Sequence, residues 1–326
     1  MNSVNTFILR SAGSLLSPSG TGGRLSILIY HRVPEEADPL LPGVVDAARF
    51  ELQMSILGNL FNVLPLSEAV QRMKHGTLPS RAACVTFDDG YADNFKVALP
   101  ILRRQNIPAT FFISTGYLDG GIMFNDKVIE TVRRLESNRL DLSESGLGVH
   151  ALENHEQRLQ AIGNLLSGMK YKPMEERHRI MDDIADSAGL KFPDDIMMTR
   201  DEVRGLHDAG MEIGGHTVNH PILSKLEAAA ARMEIAKGVE HLQEITGKPV
   251  KLFAYPNGIP GVDYMPEHVR MVEEMGFEAA FTTAKGVAKG GCDLFQLPRF
   301  TPWDVDLSLF SLRLTGNLLQ TKFVTV

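Results

Sequence analysis

Residues 83–90 have the sequence Ala83-Cys84-Val85-Thr86-Phe87-Asp88-Asp89-Gly90. An apolar run of this length is typical of a buried strand, and Asp-Gly is a common turn dipeptide. Consecutive side chains at a strand end point in different directions, so one carboxylate could bind a metal ion while the other faces a water molecule on that metal. An ordinary turn is the alternative interpretation of the same residues.

Six further apolar, β-rich runs lie along the chain, at Ile27–Tyr30, Ala109–Ile113, Met211–Gly214, Lys251–Ala254, Glu278–Thr282 and Phe295–Phe300. Helical patterns separate them, and this alternation favours a mainly parallel sheet wrapped by helices. Two helix starts are predicted from capping-box spacing, at Thr199 with Glu202 and at Ser224 with Glu227. The sequence therefore predicts an α/β protein with seven main strands.

Residues from about 120 to 198 interrupt this alternation, because they contain helical patterns but no strand comparable to the seven. We interpret them as a helical insertion in one barrel domain, residues 25–326, which follows an N-terminal extension, residues 1–24. Insertions after strand ends in barrels lie on the active-site face, so this one could shape a substrate cleft. A helical subdomain that only packs on the barrel is the alternative.

Composition narrows the class of protein. The chain has 326 residues, 44% of them hydrophobic, which is enough for a sizeable core. Its formal net charge is -7, and no basic stripe is visible, so we expect no nucleic-acid partner. The two cysteines, Cys84 and Cys292, lie in apolar runs, which suits buried thiols better than a disulfide framework.

The N-terminal residues bear on location in the cell. Residues 1–24 show no basic leader, long apolar stretch or cleavage site, and no run in the chain approaches the roughly 20 apolar residues of a spanning helix. We therefore expect a cytoplasmic protein without a transmembrane segment. Peripheral membrane contact stays open, through the apolar residues Phe7, Ile8, Leu15 and Leu16.

A second constellation follows the fourth strand and has the sequence Gly214-Gly215-His216-Thr217-Val218-Asn219-His220-Pro221. Two histidines four residues apart can face one point, and neutral imidazole is a good ligand for zinc and related divalent metals. Together with one of the two aspartates they would supply two nitrogens and one oxygen. Positions would remain open for water and substrate, as a catalytic metal site requires.

A third constellation is Phe253-Ala254-Tyr255-Pro256-Asn257-Gly258, a strand end followed by a turn. Pro256 fixes the local backbone, and we predict that the N–H of Tyr255 could donate to the oxyanion formed when an amide carbonyl is attacked. A plain strand-to-helix loop is the alternative.

These motifs, in this order, resemble the polysaccharide deacetylase family, also called NodB-like or carbohydrate esterase family 4. The resemblance covers about residues 24–303 apart from the insertion. It implies a distorted seven-stranded (β/α) barrel that hydrolyses N-acetyl groups of carbohydrates. It also implies a division of roles, with Asp88 as the general base and Asp89, His216 and His220 as metal ligands. The divalent metal expected from these ligands is Zn²⁺.

Two departures from the family pattern require substitutes. Ala254 stands where many members carry an arginine that steadies the catalytic aspartate, and we predict that Arg299 replaces it, with a surface cation as the alternative. The family's C-terminal Leu-x-His is absent, since residues 307–309 are Leu-Ser-Leu. We predict that His31, directly after the first strand, is the general acid, an arrangement that resembles the rearranged subgroup that includes poly-N-acetylglucosamine deacetylases. A core histidine is the alternative.

The substrate is less well defined by the sequence. Tyr91 and Trp303, the single tryptophan, lie near predicted loops and are candidates for sugar contacts, with core packing as the alternative. We expect an N-acetylated amino sugar in a polysaccharide or its precursor. Two other functions stay open, a metal-dependent amidase acting on a non-sugar amide and a catalytically silent carbohydrate-binding protein.

Overall fold

The computed structural model describes residues 3–326, with side chains from residue 6 onward. This part contains eleven α-helices: α1 (Ser3–Leu16), α2 (Ala47–Leu60), α3 (Leu66–Lys74), α4 (Leu99–Gln105), α5 (Phe124–Arg134), α6 (His155–Met169), α7 (Met174–Ala188), α8 (Arg200–Asp208), α9 (Ala228–Thr246), α10 (Pro266–Glu274) and α11 (Leu307–Asn317). It also contains eleven strands: β1 (Arg24–Tyr30), β2 (Asn62–Val63), β3 (Ala82–Phe87), β4 (Ala109–Ile113), β5 (Arg139–Leu142), β6 (Gly148–Ala151), β7 (Glu212–Gly215), β8 (Leu252–Ala254), β9 (Ala279–Lys285), β10 (Ala288–Lys289) and β11 (Leu297–Arg299).

Seven of these strands form the barrel, in the order β1-β3-β4-β7-β8-β9-β11, and all their pairings are parallel. A parallel bridge between Leu28 and Phe300 joins the first strand to the last. Its two hydrogen bonds run from Ile29 N to Phe300 O, at 3.0 Å, and from Phe300 N to Ile27 O, at 2.7 Å. The predicted seven-stranded α/β barrel is therefore confirmed, and β2 and β10 are short additions to its margins.

Alternate residues along the barrel strands belong to two different hydrophobic clusters. One set, which includes Ile27, Cys84 and Phe281, packs with residues of α3 and fills the barrel. The other, which includes Leu28, Val85 and Phe111, packs under the surrounding helices. This two-sided burial explains why the strands have continuous apolar sequences rather than an alternation of apolar and polar residues.

One of the two predicted helix starts is present. Thr199 and Glu202 form a capping box at the start of α8, each side chain bonding the other's backbone N–H. The prediction at Ser224 was wrong. Its hydroxyl donates to the Val262 carbonyl, at 2.5 Å, and α9 begins three residues later than a capping box there would require.

Between β4 and α8 the chain forms α5, a β5–β6 hairpin, α6 and α7. These elements share a hydrophobic cluster of their own, which includes Val128, Leu165 and Met181. The hairpin was not predicted, since its strands have only four residues each and β5 alternates exposed with buried side chains.

No helix in residues 3–326 is long and apolar enough to cross a membrane. Phe7, Ile8 and Leu15 are exposed on α1, whereas Leu16 is partly buried against the main core.

Candidate active site

The candidate functional residues gather where the parallel barrel strands end. Each of five strands is followed by, or ends in, a residue singled out above: His31 after β1, Asp88 after β3, His216 after β7, Tyr255 after β8 and Arg299 at the end of β11. Because parallel strands of a barrel end on the same face, residues far apart in sequence meet at one rim.

Asp89, His216 and His220 form a cluster at this rim. One potential ligand atom from each lies within 4.8 Å of the other two. Asp89 Oδ1 is 3.4 Å from Nε2 of His216 and 3.4 Å from Nε2 of His220. Ligand atoms on a tetrahedral zinc with bonds of about 2.1 Å lie roughly 3.4 Å apart, so these separations match that geometry.

The three residues also have the chemistry of a metal site. Asp89 Oδ1 is buried and accepts no hydrogen bond within the described chain, which is costly for a carboxylate unless a cation pairs with it. His216 Nδ1 lies 2.7 Å from the Ala254 carbonyl, which fixes the tautomer with Nδ1–H as donor and leaves Nε2 free to bind a metal. Two imidazoles and one carboxylate therefore fit a divalent cation.

The pKa shifts of His220 and Asp89 favour the ionisation states that bind a metal. Burial lowers the pKa of His220 to about 4, so its ring is neutral at neutral pH. Burial alone would raise the pKa of Asp89, but His220 and His216 outweigh it and hold that pKa well below the usual range. His216 has a raised pKa, because Asp88 and Asp89 outweigh the effect of its burial.

The loop that carries the two histidines is anchored by Glu234 of α9. Its carboxylate accepts from the backbone N–H of Val218, at 3.1 Å, and of Asn219, at 2.8 Å, and from the Asn219 side chain. Gly238, one turn further along α9, lets the helix approach closely, since a Cβ there would be 2.8 Å from the Thr217 carbonyl. Sequence reasoning missed this anchor, because a helical glutamate on a solvated face carries no distinguishing signal.

Several backbone positions at the rim have left-handed conformations that side chains rarely adopt. Among the described non-glycine residues, Asp89, Thr217, His220 and Asn257 have φ values of 79°, 66°, 50° and 59°. Such conformations cost about 1–3 kcal/mol each and persist where the surrounding structure imposes them, as at functional sites.

Asp88 is paired with Arg299 in a bidentate contact. Both guanidinium–carboxylate distances are 2.7 Å, and Arg299 Nε donates to the Thr282 carbonyl at 2.9 Å. Burial favours a raised pKa for Asp88, but Arg299 and then His216 outweigh it, so its pKa is lowered and the group is ionised. The structure thus places Arg299 where the prediction required a substitute for the missing family arginine.

His31 lies at the solvent-facing side of the cluster. It is exposed, and its carbonyl accepts from the Asn94 side chain at 2.7 Å. It is close enough to Asp88 and Asp89 to contribute to the lowering of the pKa of both. This position is compatible with a proton donor that meets a bound substrate.

The structure corrects the prediction that the Tyr255 N–H is free to donate to an oxyanion. That N–H donates to the Phe281 carbonyl at 3.1 Å and so continues the β8–β9 ladder, while the Tyr255 side chain is buried and its hydroxyl donates to Phe295 O. Pro256 has no N–H. The next backbone N–H along the chain is that of Asn257, and it has no acceptor in residues 3–326. Asn257 lines the same cavity as His220.

The prediction that Tyr91 contacts a sugar is also corrected, because its side chain is buried in the protein. Its hydroxyl donates to Asp126 at 3.0 Å. Arg32 lies over the Tyr91 ring, 3.7 Å from Asp126, and bonds Asp93 at 2.9 Å. Burial raises the pKa of Asp126 to about 7 despite Arg32 and Tyr91. This network was missed, since its members are remote in sequence.

Trp303 follows the last barrel strand and is 51% exposed. The ammonium of Lys285 lies 5.1 Å from the centre of its indole ring. Its side chain makes no ring contact or hydrogen bond with the residues of the metal cluster within the described chain.

A model of the polysaccharide deacetylase family matches residues 75–280. The chain belongs to this family. The matched region contains both aspartates and both histidines of the rim, whereas His31 and Arg299 lie outside it.

Two relatives of this polysaccharide deacetylase align with different parts of it. YxkH of Bacillus subtilis is 20% identical over 278 residues, which cover 85% of this chain and 70% of YxkH. A poly-beta-1,6-N-acetyl-D-glucosamine N-deacetylase of Staphylococcus aureus is 32% identical over 111 residues. That alignment covers 34% of this chain and 38% of the staphylococcal enzyme.

The fold is shared with a solved structure, the Streptococcus pyogenes deacetylase PplD in complex with acetate. The TM-score is 0.59 with 19% sequence identity, and the match covers 91% of this chain and 97% of PplD.

Proposed function

We propose that this protein is a metal-dependent deacetylase that hydrolyses the N-acetyl group of an amino sugar, in a polysaccharide or its biosynthetic precursor. One observation carries the proposal: the unpartnered carboxylate of Asp89 faces two imidazole nitrogens, beside a second carboxylate, Asp88, that Arg299 holds ionised. Membership of the family and the name of the staphylococcal relative support the substrate class.

Asp89, His216 and His220 would hold the cation, and we propose Zn²⁺ because this mixed nitrogen and oxygen set is typical of catalytic zinc. Bound there, the metal would act as a Lewis acid toward water and the amide carbonyl. The Ala254 carbonyl and the Glu234 anchor keep the two imidazoles in place without the substrate.

The chain's own residues would move the protons. Asp88 would accept a proton from the attacking water as the new C–O bond forms, and Arg299 keeps that carboxylate oriented. The Asn257 N–H would donate to the developing oxyanion. His31 would protonate the departing nitrogen as the C–N bond breaks, which yields acetate and a free amine.

The direct test is acetate release by the zinc-loaded protein from chitooligosaccharides and from β-1,6-linked N-acetylglucosamine oligomers. We expect release that zinc removal abolishes and that His31→Ala lowers without changing zinc content. Binding of these sugars without acetate release in the zinc-loaded protein would contradict the proposal and favour a silent carbohydrate-binding protein. Hydrolysis of acetanilide but of neither sugar would favour an amidase.

A further inference from the structure

A cavity of about 240 Å³ lies between the barrel rim and the insertion. His220, Asn219 and Asn257 form its wall on the barrel side. Lys170, Arg177 and His178, from the end of α6 and from α7, form its wall on the insertion side. Pockets for drug-sized ligands measure about 300–1,000 Å³, so this cavity suits one sugar residue or one substituent rather than a long chain.

The insertion wall is cationic. Lys170 and Arg177 contribute positive charge, and in the described part of the chain no aspartate or glutamate lines the cavity. A local excess of positive charge contrasts with the formal net charge of -7 of the whole protein. An anionic ligand is therefore favoured here by the charge of the wall.

Arg177 is a partly buried cation without an anionic partner among the described residues. Its Nε is buried and has no hydrogen-bond partner among the described residues, and no described carboxylate forms an ion pair with the guanidinium. One terminal nitrogen reaches the Lys170 carbonyl at 3.4 Å, and the guanidinium lies 4.9 Å from the centre of the Phe124 ring. Burial lowers the pKa of Arg177, which reports an uncompensated loss of hydration.

Charged side chains are rarely buried without a partner, because the lost hydration is not recovered. Some partly buried arginines of this protein have carboxylate partners, such as Arg133 with Asp38 and Arg313 with Asp304, whereas Arg81, away from this cavity, also has an unpaired Nε. A guanidinium fork with free N–H groups matches a phosphoryl or carboxylate group. His178, whose Nε2 is also buried without a partner, adds a further donor or acceptor to the wall.

We propose that Arg177, with Lys170, binds an anionic group of the substrate, phosphoryl or carboxylate, adjacent to the N-acetyl group that is hydrolysed. The insertion thus selects an acidic amino sugar over a neutral one. The identity of the neighbouring sugar rests on the proposed function, whereas the anion site itself rests on the cavity and its unpaired guanidinium.

Calorimetric titration of the zinc-loaded protein with three probes tests this subsite. N-acetylglucosamine is the neutral probe, N-acetylglucosamine 1-phosphate carries a phosphoryl group, and N-acetylmuramic acid carries a carboxylate. We expect at least one acidic probe to bind at least 10-fold more tightly than the neutral one. Which acidic probe gains more identifies the source of the anion.

Variants separate the subsite from the metal. Arg177→Gln should weaken binding of the acidic probe at least 10-fold and change the affinity for the neutral probe less than 2-fold. Arg177→Lys, which keeps the positive charge, should lose less affinity for the acidic probe than Arg177→Gln. Arg179→Gln, an exposed arginine on the same helix, is the matched control and should change nothing. Affinity for the acidic probe that is unchanged in Arg177→Gln, as when phosphate binds only the zinc, would overturn the proposal.

Equal affinity for all three probes would also overturn it. Titration requires no hydrolysis, so binding of an acidic probe through Arg177 would leave the anion site standing even if the zinc-loaded protein released no acetate from the sugar oligomers, the result that would refute the proposed function.

Discussion

Two arginines, one in the barrel and one in the insertion, differ in their environments. Arg299, in the barrel, is fully buried and uses its guanidinium on Asp88 and the Thr282 carbonyl. Arg177, in the insertion, is half-buried, and its Nε has no partner in the described structure. A cation with its own carboxylate serves to orient that carboxylate, whereas a cation without one is available to a ligand.

The same contrast applies to the two regions as a whole. Barrel residues at the rim are held by contacts that exist before a substrate arrives, such as Ala254 O with His216 and Glu234 with the histidine loop. The insertion has a separate hydrophobic cluster and adds side chains to one wall of the cavity only. We infer that chemistry belongs to the barrel and selectivity to the insertion.

The largest effect is expected from Asp88→Asn, which removes the barrel's proposed base. Acetate release should fall about 10²–10⁴-fold, since one acid or base step contributes about that much. Zinc content, measured by elemental analysis, should be unchanged. Asp141→Asn, on the exposed hairpin of the insertion, is the control and should retain full activity. Near-normal activity of Asp88→Asn would refute its assignment as the base.

His220→Ala sharpens the comparison, because His220 lines the cavity but belongs to the barrel's metal cluster. Zinc affinity should fall by about 100-fold or more, since even residues that only orient a ligand contribute about 10–100-fold. Arg177→Gln should leave zinc affinity unchanged in the same competition assay with a zinc chelator. Equal losses in the two variants would show that the regions are not separable.

Arg299→Met and Arg177→Met make the same change in the two environments. Removal of Arg299 leaves the buried Asp88 charge unpaired and should lower the free energy of unfolding by about 3–5 kcal/mol. Removal of Arg177 leaves no orphaned carboxylate and should change it by less than about 0.5 kcal/mol. Urea denaturation measures both. Similar losses in the two variants would contradict the contrast drawn here.

Asp126→Asn tests an ionisable group between the insertion and the barrel, since Asp126 lies on α5 and contacts Arg32 and Tyr91 of the rim loops. Its pKa of about 7 lies above the unfolded value of about 3.9, so the folded state retains a proton that the unfolded state has released. Stability from this group is present below about pH 4 and is lost as the pH rises through 7.

The asparagine variant should therefore lose less stability than the wild type between pH 5 and pH 8. The expected difference is roughly 2.5 kcal/mol, from urea denaturation at the two pH values. An identical pH dependence in both proteins would show that Asp126 is already ionised at pH 5.

The sequence predicted best where local pattern and burial coincide. Seven mainly apolar runs indicated seven barrel strands, because strands covered on both sides have mostly apolar residues. The β5–β6 hairpin was not predicted, because its strands are too short for their alternation of polar and apolar residues to be recognised. At the rim, each metal-site motif directly follows a strand, so its position was implied once the strands were known.

Partners of individual groups were harder to predict. The Tyr255 N–H was assigned to the oxyanion, but the pairing of β8 with β9 gives it to Phe281, and the free donor moves to Asn257. Tyr91 was placed near the sugar, yet Asp126, 35 residues away, takes its hydroxyl into the interior. Hydrogen-bond partners that come from distant elements leave no trace in local sequence.

The amino-acid sequence by itself determined the barrel, the family and the residue types able to hold a cation, because strand burial and short motifs are local properties of the chain. Only the tertiary structure decided which charges are satisfied. Arg299 meets Asp88 across the barrel, while Arg177 meets no carboxylate in the described residues. Pairing depends on separations of a few ångströms between remote segments, and those are fixed by packing.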